Sequence, residues 1–210
     1  VRADLQRLYA IIDAQLLARR TIRLRKFAVG LRSAGVGLVQ YRDKSGSPQD
    51  ILRAAAILRE LFAGTDCQLI MNDRPDLAVL ANFHGVHVGQ TDLSPEDAKR
   101  VIGPDRIVGV STHNDDQLRA ADLTSADYIA IGPVFSTATK ADAEPVVGLE
   151  GVRRARALTR KPLVAIGGIT RANARSVIEA GADSVAIISA LFSDGESVEK
   201  VARDFLELLR

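Results

Sequence analysis

Three groups of polar residues in the 210-residue sequence have types and spacings suited to joint chemistry. Gln40, Arg42 and Lys44 recur at every second position, so an extended chain points all three the same way. A guanidinium and an ammonium on one edge suit a diphosphate, although the same run also reads as a solvated charged turn. Asp73 and Asp92 each follow a short apolar run. Singly they read as a helix cap and a turn residue. As a pair without His or Cys beside them, they are hard carboxylates suited to Mg²⁺, which keeps waters and takes further oxygens from substrate phosphates. Gly167-Gly168 and Ile188-Ser189 follow two later apolar runs, where exposed backbone amides bind a phosphate or the glycines simply make a tight turn.

The remaining candidates are weaker. His87 lies within an apolar run and His84 just before it, which favours packing or hydrogen bonding over catalysis, and His113 has no evident partner. Ser111 has neither a paired His-Asp arrangement nor a Gly-x-Ser-x-Gly elbow, so it reads as a hydrogen-bonding residue. No side-chain nucleophile is evident.

For these groups to meet, the elements carrying them must end on one rim. Short aliphatic runs alternate with amphipathic stretches along the whole chain: Leu8 to Ile12, Val36 to Tyr41, Leu69 to Asn72, Gly85 to Val88, Ile107 to Val110, Tyr128 to Ile131, Leu163 to Ile166 and Ser184 to Ile188. Helices are expected over Ile22 to Ala34, from Pro48 through Phe62, Pro75 to Ala81, from Pro95 after a Ser94 cap, Asn114 to Ala121, Leu149 to Thr159, Arg171 to Ala180 and Val198 to Leu209. Eight strands alternating with eight helices, with no Pro inside a strand, predict an α/β fold: a single (β/α)8 TIM barrel over residues 1–210, with its active site at the C-terminal ends of the strands. The alternative is an open doubly wound sheet, which usually shows Gly-x-Gly-x-x-Gly after the first strand where Asp13-Ala14-Gln15 stands here. The long connection Gly132 to Gly148 reads as functional, because loops of that length in compact domains usually are.

Composition narrows the classes. The 47% hydrophobic and 26% charged residues are ordinary for a soluble globular protein, and 4% aromatics point to an aliphatic core. A net charge of +2, with basic residues scattered among acids, gives no reason to expect a nucleic acid or a membrane as partner. Cys67 is the only cysteine, so no internal disulfide forms and a reducing compartment is expected. No apolar run reaches the roughly 20 residues that span a bilayer, and Val1 to Leu8 holds no leader core, so a cytoplasmic location is the expectation.

Several motifs, in order and with matching spacing over nearly the whole chain, resemble the thiamine phosphate synthase family. They are Gln40-Tyr41-Arg42-Asp43-Lys44, Asn72-Asp73, Gly85 through Asp92, Gly109-Val110-Ser111, Gly132 through Lys140 and Ala165 through Ile169. The resemblance implies a barrel enzyme that joins 4-amino-5-hydroxymethyl-2-methylpyrimidine diphosphate to a thiazole phosphate, giving thiamine phosphate and diphosphate. It implies that Gln40, Tyr41, Arg42, Asp43 and Lys44 hold the pyrimidine diphosphate, with Asn72 and Ser111 on the pyrimidine side. Asp73 and Asp92 would hold Mg²⁺ and Lys140 would meet the pyrimidine substrate. Thr137, Thr139, Gly168, Ile188 and Ser189 would receive the thiazole phosphate. Arg42, Lys44 and Lys140 would stabilise the departing charge, in a dissociative displacement that needs no protein nucleophile. Ser136 and Tyr41 depart from the residues usual in the family, and neither removes a functional group. A thiazole tautomerase, the related barrel, has no need of a diphosphate site, and a ligand sensor would bind without turnover. The partners implied are small-molecule substrates, and a homo-oligomer stays open.

Overall fold

The computed structural model describes residues 5–137, 145–193 and 195–210. The chain begins with strand β1 (Leu8–Asp13), helices α1 (Ala14–Arg19) and α2 (Leu24–Ala34), β2 (Leu38–Arg42) and α3 (Pro48–Phe62). It continues through β3 (Gln68–Asn72), α4 (Pro75–Leu80), β4 (Gly85–Val88), α5 (Pro95–Ile102), β5 (Ile107–Thr112), α6 (Asp115–Asp122) and β6 (Tyr128–Ile131). The last elements are α7 (Gly148–Leu158), β7 (Leu163–Ile166), α8 (Ala174–Glu179), β8 (Ser184–Ile187), a 3-10 turn (Ser189–Leu191) and α9 (Val198–Leu208).

The eight strands pair in parallel in chain order and close into a barrel, β8 returning to β1 through Ala10 opposite Ile187. Each strand is buried on both faces, which is why its sequence is a nearly continuous aliphatic run. Along β1, Leu8, Ala10 and Ile12 pack outward among the helices, while Tyr9 and Ile11 join Leu38, Ile70, Ala130, Val164 and Ala186 inside the barrel. The helices start where the sequence supplies caps. The hydroxyls of Ser47 and Ser94 accept the amides of Asp50 and Asp97, with Pro48 and Pro95 following. Gly35 ends α2 with φ 84°, a left-handed cap that costs glycine nothing.

The structure departs from the expected elements at several places, β2 starting at Leu38 rather than Val36 and α2 at Leu24 rather than Ile22 among them. An extra helix, α1, follows β1 directly. Only Leu17 of its six residues is buried, so it carries no apolar period to read, and it begins because the Asp13 side chain accepts the Leu16 amide. Strand β5 runs on past Ser111 to Thr112, which pairs with Ile131. Helix α8 starts at Ala174 rather than Arg171: Asn173 Oδ1 takes the Thr170 amide, and the Arg171 guanidinium pairs with Glu196 and Asp204.

Candidate active site

The C-terminal strand ends surround a cavity of about 480 Å³, whose lining includes Gln40, Arg42, Lys44, Asn72, Asp73 and Asp92 on one side and Gly167, Gly168, Ile188 and Ser189 on the other. Ser111 and Thr137 also line it.

Strand β2 delivers its residues by alternation. Gln40 points inward and is 2% exposed, its Nε2 donating to the Tyr9 hydroxyl at 2.8 Å. Arg42 follows two residues later and forms an ion pair with buried Asp13. Asp13 therefore holds two things at once, the first turn of α1 through Oδ1 and the guanidinium through Oδ2. Lys44 reaches across to an ion pair with Asp73. Two positions of the run from Gln40 to Lys44, Tyr41 and Asp43, do not line the cavity. The same period-two alternation turns Tyr41 outward into the core between sheet and helices, where its hydroxyl donates to Asp43 Oδ2 at 3.3 Å. Asp43 accepts the amides of Ser45 and Gly46 at 3.1 and 2.7 Å, which shapes the turn after β2.

Asp73 does not cap α4; Arg74 takes that position. Asp73 instead adopts φ 61°, a left-handed conformation that short polar residues tolerate best, with its amide donating to His87 O at 2.8 Å. Asp92 ends the turn after β4, its Oδ2 accepting the Gly89 amide at 2.8 Å. Burial raises the Asp92 carboxyl above the usual range, and the Asp73 carboxyl within hydrogen-bonding reach pushes the same way; the Gly89 amide and Lys44 oppose them. Among the described residues the buried Asn72 Nδ2 has no hydrogen-bond partner. Asn72 lines the same cavity as Asp73 and Asp92.

Inside the barrel the polar residues link up. The Tyr9 and Tyr128 hydroxyls lie 2.9 Å apart, Tyr128 lies 2.9 Å from His87 Nδ1, and His87 Nε2 lies 2.8 Å from Ser111 Oγ. His87 thus has the hydrogen-bonding role its place in a strand suggested, with partners that no local pattern announced. His113, expected to lack a partner, sits with Nδ1 2.6 Å from Gly132 O. His84 Nδ1 accepts the Leu69 amide at 2.9 Å, away from the cavity.

At the opposite side, Gly167 and Gly168 have φ 101° and 65°. A Cβ on Gly168 would stand 2.6 Å from Ser136 O and 2.7 Å from Phe135 Cβ, so glycine is required there for conformation and for space. The 3-10 turn Ser189–Leu191 begins beside it, and its first amides lack partners within the turn itself. Thr139 and Lys140 lie outside the described residues. Asp13, Tyr9 and Tyr128 were not anticipated as part of the site; the only sequence signal for Asp13 was a charge at the end of an apolar run.

A closed parallel barrel with a glycine turn and 3-10 amides after β7 and β8 belongs to the class of TIM-barrel enzymes that handle phosphorylated small molecules. Comparison with known proteins narrows the class. A profile of the family described as thiamine monophosphate synthase matches residues 8–191. A thiamine-phosphate synthase of Koribacter versatilis is 52% identical over 207 residues, covering 98% of this chain and 96% of the relative. One from Chloroflexus aurantiacus is 40% identical over 205 residues, covering 97% and 92%. The solved thiamine phosphate pyrophosphorylase from Pyrococcus furiosus superposes with a TM-score of 0.86 at 32% identity, over 99% of this chain and 96% of that one. This chain belongs to the thiamine monophosphate synthase family and is a transferase of thiamine biosynthesis.

Proposed function

We propose that the cavity joins 4-amino-5-hydroxymethyl-2-methylpyrimidine diphosphate to a thiazole phosphate, releasing diphosphate. The observation that carries this reading is the layout of one cavity with two anion sites: Arg42 and Lys44 beside Asp73 and Asp92 at one edge, and the Gly167-Gly168 and Ser189 amides at the other. One edge suits a diphosphate and the other a monophosphate, with room for two small rings between them.

The β3–β4 edge fits a hard divalent cation. Among the described residues no cluster of three or more His, Cys, Asp or Glu side chains is placed to hold a metal. Asp73 and Asp92 would therefore supply two anionic ligands and leave the other positions to water and diphosphate oxygens, the coordination Mg²⁺ prefers. When bound, Mg²⁺ would offset negative charge on the diphosphate. Lys44 now lies on Asp73, so it is positioned to turn its ammonium to the diphosphate when a cation takes the carboxylate.

In the reaction, the bond between the methylene carbon and the diphosphate oxygen breaks, and its electron pair leaves with the diphosphate. The thiazole nitrogen then gives its lone pair to the methylene carbon, so no proton moves and no protein nucleophile is needed. Arg42 and Lys44 act where charge develops, which lowers the transition state more than the ground state. Lys140 joins them in this reading. Gln40, Asn72 and Ser111 orient the pyrimidine. Gly168, Ile188 and Ser189, with Thr137 and Thr139, seat the thiazole phosphate and so supply proximity. The lone, buried Cys67 supports a reducing, cytoplasmic setting.

The test is formation of thiamine phosphate by the purified chain from both substrates, with Mg²⁺ and with EDTA. Product that depends on Mg²⁺ is expected. Folded protein that binds both substrates and makes no product would sink the reading.

A further inference from the structure

Five side chains from five strands form one hydrogen-bonded line across the barrel interior: Gln40 on β2, Tyr9 on β1, Tyr128 on β6, His87 on β4 and Ser111 on β5. Its two ends, Gln40 and Ser111, lie on the cavity wall. Proton counting gives the line a direction. Burial pushes both phenols far above their ordinary range, so each is neutral, with one proton to give and lone pairs to accept. Gln40 spends an amide N–H on the Tyr9 oxygen, so the Tyr9 proton is available to Tyr128. Tyr128, having accepted, donates to His87 Nδ1. An imidazole that accepts at Nδ1 carries its proton on Nε2, and Nε2 faces Ser111 Oγ. Ser111 then keeps its own hydroxyl proton for the cavity. In the opposite direction the Tyr9 oxygen would accept from both Gln40 and Tyr128, and the buried Tyr9 proton would have no acceptor in the line.

The backbone makes room for this line. A Cβ on Gly109 would lie 2.0 Å from Tyr128 Cζ and 2.3 Å from its hydroxyl oxygen, so the glycine on β5 admits the ring. Tyr128 lies nearly parallel to His87, with centroids 5.5 Å apart and planes at 23°, and meets Tyr9 edge-on at 6.0 Å and 79°. Two phenylalanines would fill this volume without burying hydroxyls, which cost free energy unless bonded.

We infer that Tyr128, fed by Gln40 and Tyr9, is a positioning residue that holds His87 as the Nε2–H tautomer and so presents Ser111 to the cavity as a hydrogen-bond donor. Its partner on the aminopyrimidine is a ring nitrogen with a free lone pair, not the exocyclic amine. The identity of that ligand rests on the proposed synthase reading; the direction of the line does not.

Long-range ¹H–¹⁵N correlations on the full chain labelled with ¹⁵N-histidine read the tautomer, with His87 assigned by comparison with His84→Gln and His113→Gln. The wild type is expected to show Nε2–H at His87. Tyr128→Phe keeps the ring against Gly109 and should populate Nδ1–H. In turnover, Tyr128→Phe should raise KM for the pyrimidine diphosphate about fivefold, the loss of one neutral hydrogen bond, and leave KM for the thiazole phosphate unchanged. A general loosening would move both. A proton on Nδ1 in the wild type overturns the inference, as does a tautomer or a pyrimidine KM that ignores Tyr128→Phe. Absence of product from the wild type would sink the synthase reading alone, and the tautomer would still decide the direction of the line.

Discussion

The carboxyls of Asp73 and Asp92 face each other from the ends of adjacent strands, with Lys44 on Asp73 and the Gly89 amide on Asp92. This arrangement stores a cost in the metal-free protein, because burial and a like charge both disfavour ionised Asp92.

That cost has a sign that can be measured. A carboxyl whose folded pKa is raised binds its proton more tightly in the folded state. Its penalty is therefore present at neutral pH and is relieved as pH falls through the raised value. Asp92→Asn removes the penalty while keeping an oxygen for the Gly89 amide. Metal-free Asp92→Asn should melt at a higher temperature than wild type at pH 7, with the gap closing on acidification. Its Mg²⁺-dependent turnover should fall roughly hundredfold or more. Equal melting temperatures at both pH values would show that the crowding costs nothing.

Asp13→Asn separates the cap from the charge. Asparagine caps a helix about as well as aspartate, so α1 should persist. The Arg42 guanidinium, however, loses its carboxylate in a largely buried setting. Breaking such a pair costs about 3 kcal/mol. Urea unfolding should register a loss of that order, with a raised KM for the pyrimidine diphosphate. A loss under about 1 kcal/mol would mean that the pair is dispensable.

At the phosphate turn, Gly168→Ala puts a methyl against Ser136 and Phe135 in a left-handed conformation. A cost of about 1–3 kcal/mol and a raised KM for the thiazole phosphate are expected. Gly35→Ala is the control: it shares the positive φ, and its Cβ would meet no atom of the described residues within 4 Å. It should cost stability without touching KM. Ser189→Asp should raise the same thiazole phosphate KM through charge alone, and an unchanged KM would remove that position from the phosphate site.

Cys67 is buried, and burial pushes its thiol up to about 12. The thiolate is the reactive species, so alkylation by iodoacetamide at pH 8 should be slow in the folded protein and fast in urea. Rapid labelling of the folded chain would contradict the burial.

The alternation of eight aliphatic runs with amphipathic stretches was legible in the sequence because burial on both faces makes a parallel strand apolar throughout. The rim residues were legible for a related reason. Gln40, Arg42 and Lys44 sit at strand period, and Asp73, Asp92 and Ser189 stand where apolar runs stop, so their shared edge followed once the strands were taken as parallel. Helix α1 escaped because six residues with one buried side chain carry no period. The outward turn of Tyr41 follows from the strand period alone, but the inward polar line depended on closure of the barrel. Tyr9 and Tyr128 are 119 positions apart and share a hydrogen bond. Each reads locally as one more aromatic in a buried strand, and only closure, with the gap that Gly109 leaves, turns two core residues into parts of the site. Local sequence specifies which face of a strand a side chain takes; which other strand's side chain it meets there is decided by the tertiary structure, because that contact exists only after the ends of the sheet have joined.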